Sequence, residues 1–134
     1  MAAHSTPTVQ ELTGASFRQL DWWARRGVLV PSIADANGSG TPRRYSDADV
    51  RAARVLFALA ELGAKGRLLA GVPDVVRDLQ PGDTHLVVTA EGDVTAWPTC
   101  VVHGGAAYVV DLIALEAHAG AVVAPALDDM LEVV

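Results

Sequence analysis

The chain has 134 residues, 51% of them hydrophobic and 19% charged, with a mean hydropathy of +0.28; this suffices for one compact domain or two small ones and excludes a mainly disordered chain. No apolar run approaches the roughly 20 residues of a membrane-spanning helix, and Met1-Ala2-Ala3-His4-Ser5 lacks the basic-then-apolar pattern of a secretory signal, so a soluble, cytoplasmic protein with no membrane partner is expected. The net charge of -6 conceals a division: all ten Lys and Arg lie between Arg18 and Arg77, whereas the nine acidic residues from Asp78 onward are joined by no basic one, so a polyanion is drawn to the first part and repelled by the second.

In chain order, Thr6 to Gly14 reads as a short helix, with Thr6 as cap, Pro7 in the first turn and Gly14 as terminator. Ser16 then caps a second helix that Gly27 stops. Phe17, Leu20, Trp23 and Ala24 share its inner face at helical spacing, which leaves Arg18, Gln19, Asp21, Trp22, Arg25 and Arg26 outside. Val28-Leu29-Val30 carries a strand signal, the stretch from Pro31 to Pro42 is rich in turn formers, and Arg43-Arg44-Tyr45 resumes extended chain; together they predict a long-looped hairpin.

Ser46-Asp47-Ala48-Asp49 supplies a cap with acids in the first turn for a third helix running to Gly63, with Val50, Ala53, Phe57 and Ala60 inward and Arg51 and Arg54 outward. The last helical stretch of this half, Arg67 to Gln80, places Leu68, Leu69, Val72, Val76 and Leu79 inward, and Pro73 breaks or restarts it. Beyond Pro81-Gly82 two β-hairpins are predicted: residues 84–90 with 94–97 around Glu91-Gly92-Asp93, and 100–103 with 107–110 around Gly104-Gly105-Ala106. Leu112 to His118 reads as a short helix, and Pro125 to Val134 as another with Leu127, Met130 and Leu131 inward. The expected class is therefore α+β: a helical head over about residues 6–80 and a small acidic β-rich module with short helices over 83–134.

Two helices across a tight turn, the second basic and aromatic on its outer face, followed by a hairpin that ends in arginines, make up a winged helix-turn-helix. A helix fits the major groove of B-form DNA, where exposed Arg, Gln and Ser reach base edges or phosphates, and an adjacent hairpin lays arginines along the backbone or into the minor groove. Residues 13–28, Thr-Gly-Ala-Ser-Phe-Arg-Gln-Leu-Asp-Trp-Trp-Ala-Arg-Arg-Gly-Val, resemble without a gap the second-helix signature of MerR-type transcription regulators. In that family a Thr-Gly-Val-Ser turn leads to Leu-Arg-Tyr-Tyr and then Gly-Leu. Pro31, Arg43 and Tyr45, followed by a Ser-Asp helix start, are similar to the family's wing, and the resemblance covers about residues 7–80.

The resemblance implies sequence-specific binding to double-stranded DNA as a transcription regulator, with a recognition helix over about 16–26 and a wing over about 28–45. Ser16, Arg18, Trp22 and Arg25 stand where family members touch DNA, and Arg43 at the wing arginine; Gln19, Arg26 and Arg44 join them as outward donors on the same elements. Trp22 and Trp23 replace paired tyrosines, with the indole N–H able to donate where a hydroxyl did. Asp21 occupies a place usually held by arginine, and is expected to pair with Arg25 at i,i+4 or with Arg18 at i-3. Pro81-Gly82 and strand-like sequence stand where the family's long dimerisation helix follows, and its metal-sensing members use several cysteines where this chain has Cys100 alone. The module that carries over is the DNA-binding one.

Trp23 is expected in the core, Trp22 at the DNA-facing rim, Tyr45 as packing between wing and helix, and Arg51 and Arg54 on a plain helix surface. Cys100 and His103, with His85 or His118, form no convincing metal site, since positions 100 and 103 of a strand point to opposite faces. No nucleophile elbow is present, and Gly38-Ser39-Gly40 sits in a hairpin rather than between a strand and a helix, so neither an enzyme nor a cofactor is expected. The acidic end is expected to pair two heads into a homodimer, because one head offers few base contacts. The other readings are a site for a small apolar ligand or protein partner near Trp97, Tyr108 and Cys100, or a plain cover for the helical head. Association with the nucleoid follows when bound to DNA. Two other roles fit the same fold: an architectural DNA-bending factor such as a phage-type excisionase, and a protein-interaction adaptor whose head does not bind DNA.

Overall fold

The computed structural model of the protein describes residues 3–34, 42–98 and 106–117. The strand expected at Cys100–His103, the helix expected at 125–134, His118 and the Gly38-Ser39-Gly40 turn lie outside them. The elements are α1 (Thr6–Thr13), α2 (Phe17–Arg25), α3 (Asp47–Glu61), a 3-10 turn (Gly66–Leu68), α4 (Val72–Arg77), β1 (His85–Thr89), β2 (Val94–Trp97), β3 (Ala107–Asp111) and α5 (Leu112–Ala117). A helical head and a small antiparallel sheet with short helices give an α+β fold.

Helix α1 is capped by Ser5 and not, as the sequence suggests, by Thr6: Ser5 is the residue in the extended conformation, and its hydroxyl accepts from the Thr8 amide. Gly14 closes the helix at φ +85, with its N–H donating to the Gln10 carbonyl. The left-handed conformation suits glycine, and the ring of Phe57 leaves no room for more, since its Cε2 lies 3.0 Å from where a Cβ would stand. Two residues later Ser16 opens α2 with a reciprocal cap, its hydroxyl accepting from the Gln19 amide and the Gln19 side chain accepting from the Ser16 amide.

Leu20, Trp23 and Ala24 are buried as the helical period requires, but Phe17 is 56% exposed, against expectation. The period fixes a face and not a depth. The first turn of α2, from Ser16 to Arg18, projects beyond the core, and Phe17 lies at the rim beside Pro7 and Pro42.

Val28-Leu29-Val30 is also not a strand. The amides of Val28 and Leu29 both donate to the Trp23 carbonyl, at 2.8 and 3.2 Å, as the chain leaves α2 through Gly27 at φ +73; β-propensity there yields to completion of the helix end. The expected hairpin reduces, among the described residues, to one antiparallel bridge between Ala34 and Arg44. Tyr45 bridges back to His4 and is fully buried, as a packing residue should be.

Helix α3 is the axis of the fold. Val50 and Ala53 are buried as expected, but Phe57 and Ala60 are only half-buried, while Ala52, Val55, Leu56, Ala58 and Leu59 are fully enclosed. The buried side is broader than one stripe because α3 packs against α1, α4, β3 and α5. Pro73 starts α4 afresh in its first turn, so the stretch after Arg67 divides into the 3-10 turn and α4.

In the sheet the order is β2-β1-β3, antiparallel throughout, with Val87 opposite Thr95 on one side and Val109 on the other. The β1–β2 hairpin is the expected one. The described partner of β3 is β1; the 100–103 limb expected to pair with it in a second hairpin lies outside the described residues. Leu86, Val87 and Val88 are buried in succession, the mark of a central strand covered on both faces. One apolar cluster runs from Val9, Leu20 and Trp23 through α3 to Leu86, Val110 and Leu115. Among the described residues no helix is long and apolar enough to cross a membrane.

Candidate nucleic-acid interface

With Leu20, Trp23 and Ala24 turned into the core, the other side of α2 carries Arg18, Trp22, Arg25 and Arg26, all exposed. Arg18 makes no ion pair among the described residues. Trp22 is 40% exposed and the Arg26 guanidinium lies 5.3 Å from its ring centroid, a cation–π arrangement that leaves the guanidinium its N–H donors. Trp23 beside it is 3% exposed, so the two tryptophans divide between rim and core as expected. Ser16, Arg18, Gln19, Trp22 and Trp23 line a shallow groove on this face.

Ser16 and Gln19 reach the same place in a different capacity. The Ser16 hydroxyl and Gln19 Oε1 accept each other's amides at 3.0 and 2.9 Å, so both are engaged in fixing the first turn. The cap leaves the Ser16 hydroxyl proton and the Gln19 NH2 as donors, on an exposed and a half-buried residue respectively.

Asp21 binds two arginines rather than one. Its Oδ2 accepts from Arg25 Nε at 2.9 Å, the expected i,i+4 pair, and its Oδ1 accepts from Arg43 Nη1 at 2.9 Å. These hydrogen bonds, that from Arg43 first, hold the Asp21 carboxyl below the ordinary carboxylate range. Arg43 has only 13% of its side chain exposed against 74% for Arg25. The wing arginine is thus a strut that ties the wing to α2, and Arg25 is the partner left facing solvent. Arg44 is exposed, and its backbone forms the bridge to Ala34, with its amide donating at 2.6 Å.

A second carboxylate anchors the other limb of the wing. Asp49, fully buried, accepts at Oδ2 from the Ser32 amide, the Ser32 hydroxyl and the Ser46 amide at 2.8, 2.7 and 2.9 Å, and Arg77 Nη2 approaches Oδ1 at 3.5 Å. Burial pushes its pKa up, but the hydrogen bonds from Ser32 and Ser46 outweigh it and the net shift is downward. The sequence shows the local half of this arrangement, a Ser-x-x-Asp cap, and gives no sign of Ser32, 17 residues away. Asp21–Arg43 and Asp49–Ser32 are the positioning contacts that sequence reasoning missed.

Arg51 and Arg54 are surface residues with structural partners. Arg51 Nε donates to Glu116 at 2.7 Å, joining α3 to α5, and Arg54 Nε donates to the Leu12 carbonyl at 3.0 Å, joining α3 to α1. Among the described residues no cluster of His, Cys, Asp and Glu could hold a metal ion; Cys100, His103 and His118 lie outside them.

Residues 5–66 match the family model described as MerR HTH family regulatory protein. Over 63 residues, 47% of this chain, the protein is 36% identical to uncharacterized HTH-type transcriptional regulators of Mycobacterium bovis and of two strains of Mycobacterium tuberculosis. The aligned stretch spans 28% of each relative's length.

Proposed function

We propose, from residues 5–66 as the MerR-type helix-turn-helix domain they are, that the protein is a transcription regulator that binds double-stranded DNA sequence-specifically. Helix α2 enters the major groove, and the wing flanks it along the backbone or minor groove. The observation that carries this reading is the partition of α2. One face closes the core, while the other presents Arg18, Trp22, Arg25 and Arg26, three of them cations, beside the exposed Arg44.

Phosphate contacts from these guanidiniums fix register, and base contacts from the first turn supply sequence discrimination. A single head has few side chains in that first turn, so high affinity calls for two half-sites and a homodimer. The chain beyond Asp78, with no basic residue, is repelled by phosphate and sits away from the duplex, where it serves pairing of the heads. No chemistry is assigned to it.

Selection of duplexes from a random pool by the full chain, combined with its mass in solution, tests the proposal. The expected result is an enriched inverted repeat and a dimer mass. Failure to enrich any sequence would overturn specific binding, and tandem direct sites with induced curvature would favour the architectural role.

A further inference from the structure

Phe17 is the most exposed of the aromatic side chains described, at 56%, and nothing within the fold requires it there. It is the first residue of α2, and in helix-turn-helix domains the N-terminal residues of the recognition helix are the ones that reach base edges. Phe17, Pro7 and Pro42 line a groove together with Ser5, Thr6, Arg43 and Arg44; of the two arginines Arg43 is held by Asp21 and Arg44 is exposed. Arg18 follows in sequence and is exposed.

An apolar surface with the exposed Arg44 beside it and Arg18 next in sequence fits a ligand that displays an apolar group within a polyanion. In the major groove of B-form DNA the base-edge group of that kind is the C5-methyl of thymine, while the other edges present donors and acceptors that a phenyl ring cannot satisfy. A ring with no polar atom forms no hydrogen bond with phosphate or with a guanine edge, so the base-edge contact open to it is with a methyl group.

We infer that Phe17 is a specificity-determining residue that packs on the methyl group of one thymine in each half-site. This rests on the DNA-binding reading above. The ring selects thymine, and Arg18 next to it supplies polar readout of a neighbouring base or holds the phosphate.

The test uses the full chain and the duplexes it selects from a random pool, with each thymine replaced singly by deoxyuridine, which removes the methyl and keeps the pairing. The wild-type protein is expected to lose about fourfold in affinity at one thymine per half-site, the worth of one buried methyl, and to be indifferent at thymines elsewhere. Phe17→Ala is expected to bind more weakly and to show no discrimination at that thymine, whereas Phe17→Leu keeps it. Because the side chain is more than half exposed, both variants should retain the wild-type circular dichroism and melting midpoint.

Equal loss in wild type and Phe17→Ala, or no loss at any thymine, would overturn the inference while leaving DNA binding intact. A ring wedged between base pairs would give the second of these patterns, since unstacking does not depend on the methyl. Absence of binding to every duplex would overturn both the inference and the reading beneath it.

Discussion

Arg18 faces solvent on the outer side of α2 without an ion pair among the described residues, so its loss disturbs little within the protein and reports on the proposed contact with DNA. Arg18→Ala is expected to weaken binding to a selected duplex by about 1–3 kcal/mol if the guanidinium reads a base, and by less if it meets only phosphate; titration of both duplex and random DNA distinguishes the two. Asp21 works in the opposite sense. It is an anion on the face proposed to meet phosphates, retained with Arg25 and Arg43 at 2.9 Å each. Asp21→Asn is expected to raise affinity for random DNA, lower the ratio of specific to random binding, and steepen the log-log salt slope by about one as Arg25 is released. An unchanged ratio would show that the strut between wing and helix has no part in recognition. The sequence discloses half of this arrangement, because Arg25 lies one helical turn from Asp21, whereas Arg43 is 22 residues away and only the folded chain brings it near.

At Asp49 the carboxylate is stabilised relative to the unfolded chain, so its contribution is present above the ordinary value of 3.8 and is lost as pH falls below it toward the lowered folded value. Urea unfolding should therefore show wild-type stability declining from pH 5 to pH 3. In Asp49→Asn that decline should be shallower, and the variant less stable at pH 7 by about 1–3 kcal/mol, since the donors from Ser32 and Ser46 lose a charged acceptor that is itself buried. A variant as stable as wild type at pH 7 would remove Asp49 from the wing's support.

Among the elements, those with a cap and a helical period could be read directly. Ser16 with Gln19, and Ser46 with Asp49, announce helix starts through side chains three residues apart that satisfy each other's amides. Val28-Leu29-Val30 could not be read in this way. Its strand propensity competes with two amide donations to the Trp23 carbonyl, and no local pattern tells which one wins. The pairing of β3 with β1 was hidden for a similar reason, since strand signals do not name partners; only the consecutive burial of Leu86, Val87 and Val88 identifies the central strand. The α1–α2 turn depends on Gly14, which combines φ +85 with the Phe57 ring 3.0 Å from a would-be Cβ. Gly14→Ala is expected to cost about 1–2 kcal/mol from the left-handed backbone alone, read as a lower unfolding midpoint, and to weaken DNA binding through misplacement of α2. An unchanged midpoint would contradict the close approach.

For the molecule as a whole, the apolar cluster that joins Trp23 to Val110 and Leu115 makes the head and the sheet dependent on each other. Denaturation is expected to be one transition in which tryptophan emission and circular dichroism coincide. Leu115→Ala should shift that whole transition by about 2–5 kcal/mol, and two separate transitions would show that the parts fold independently. Charge is arranged on the same scale: every cation precedes Asp78, which is why a chain with a pI near 5.0 is still expected to engage a polyanion through one end. If the outer face of α2 and the wing meet DNA phosphates as proposed, the affinity of the full chain for a selected duplex falls as salt is raised. Three to five phosphate contacts per head predict a log-log slope of about -3 to -5 for each head, and a slope near zero would mean that this face does not meet the duplex.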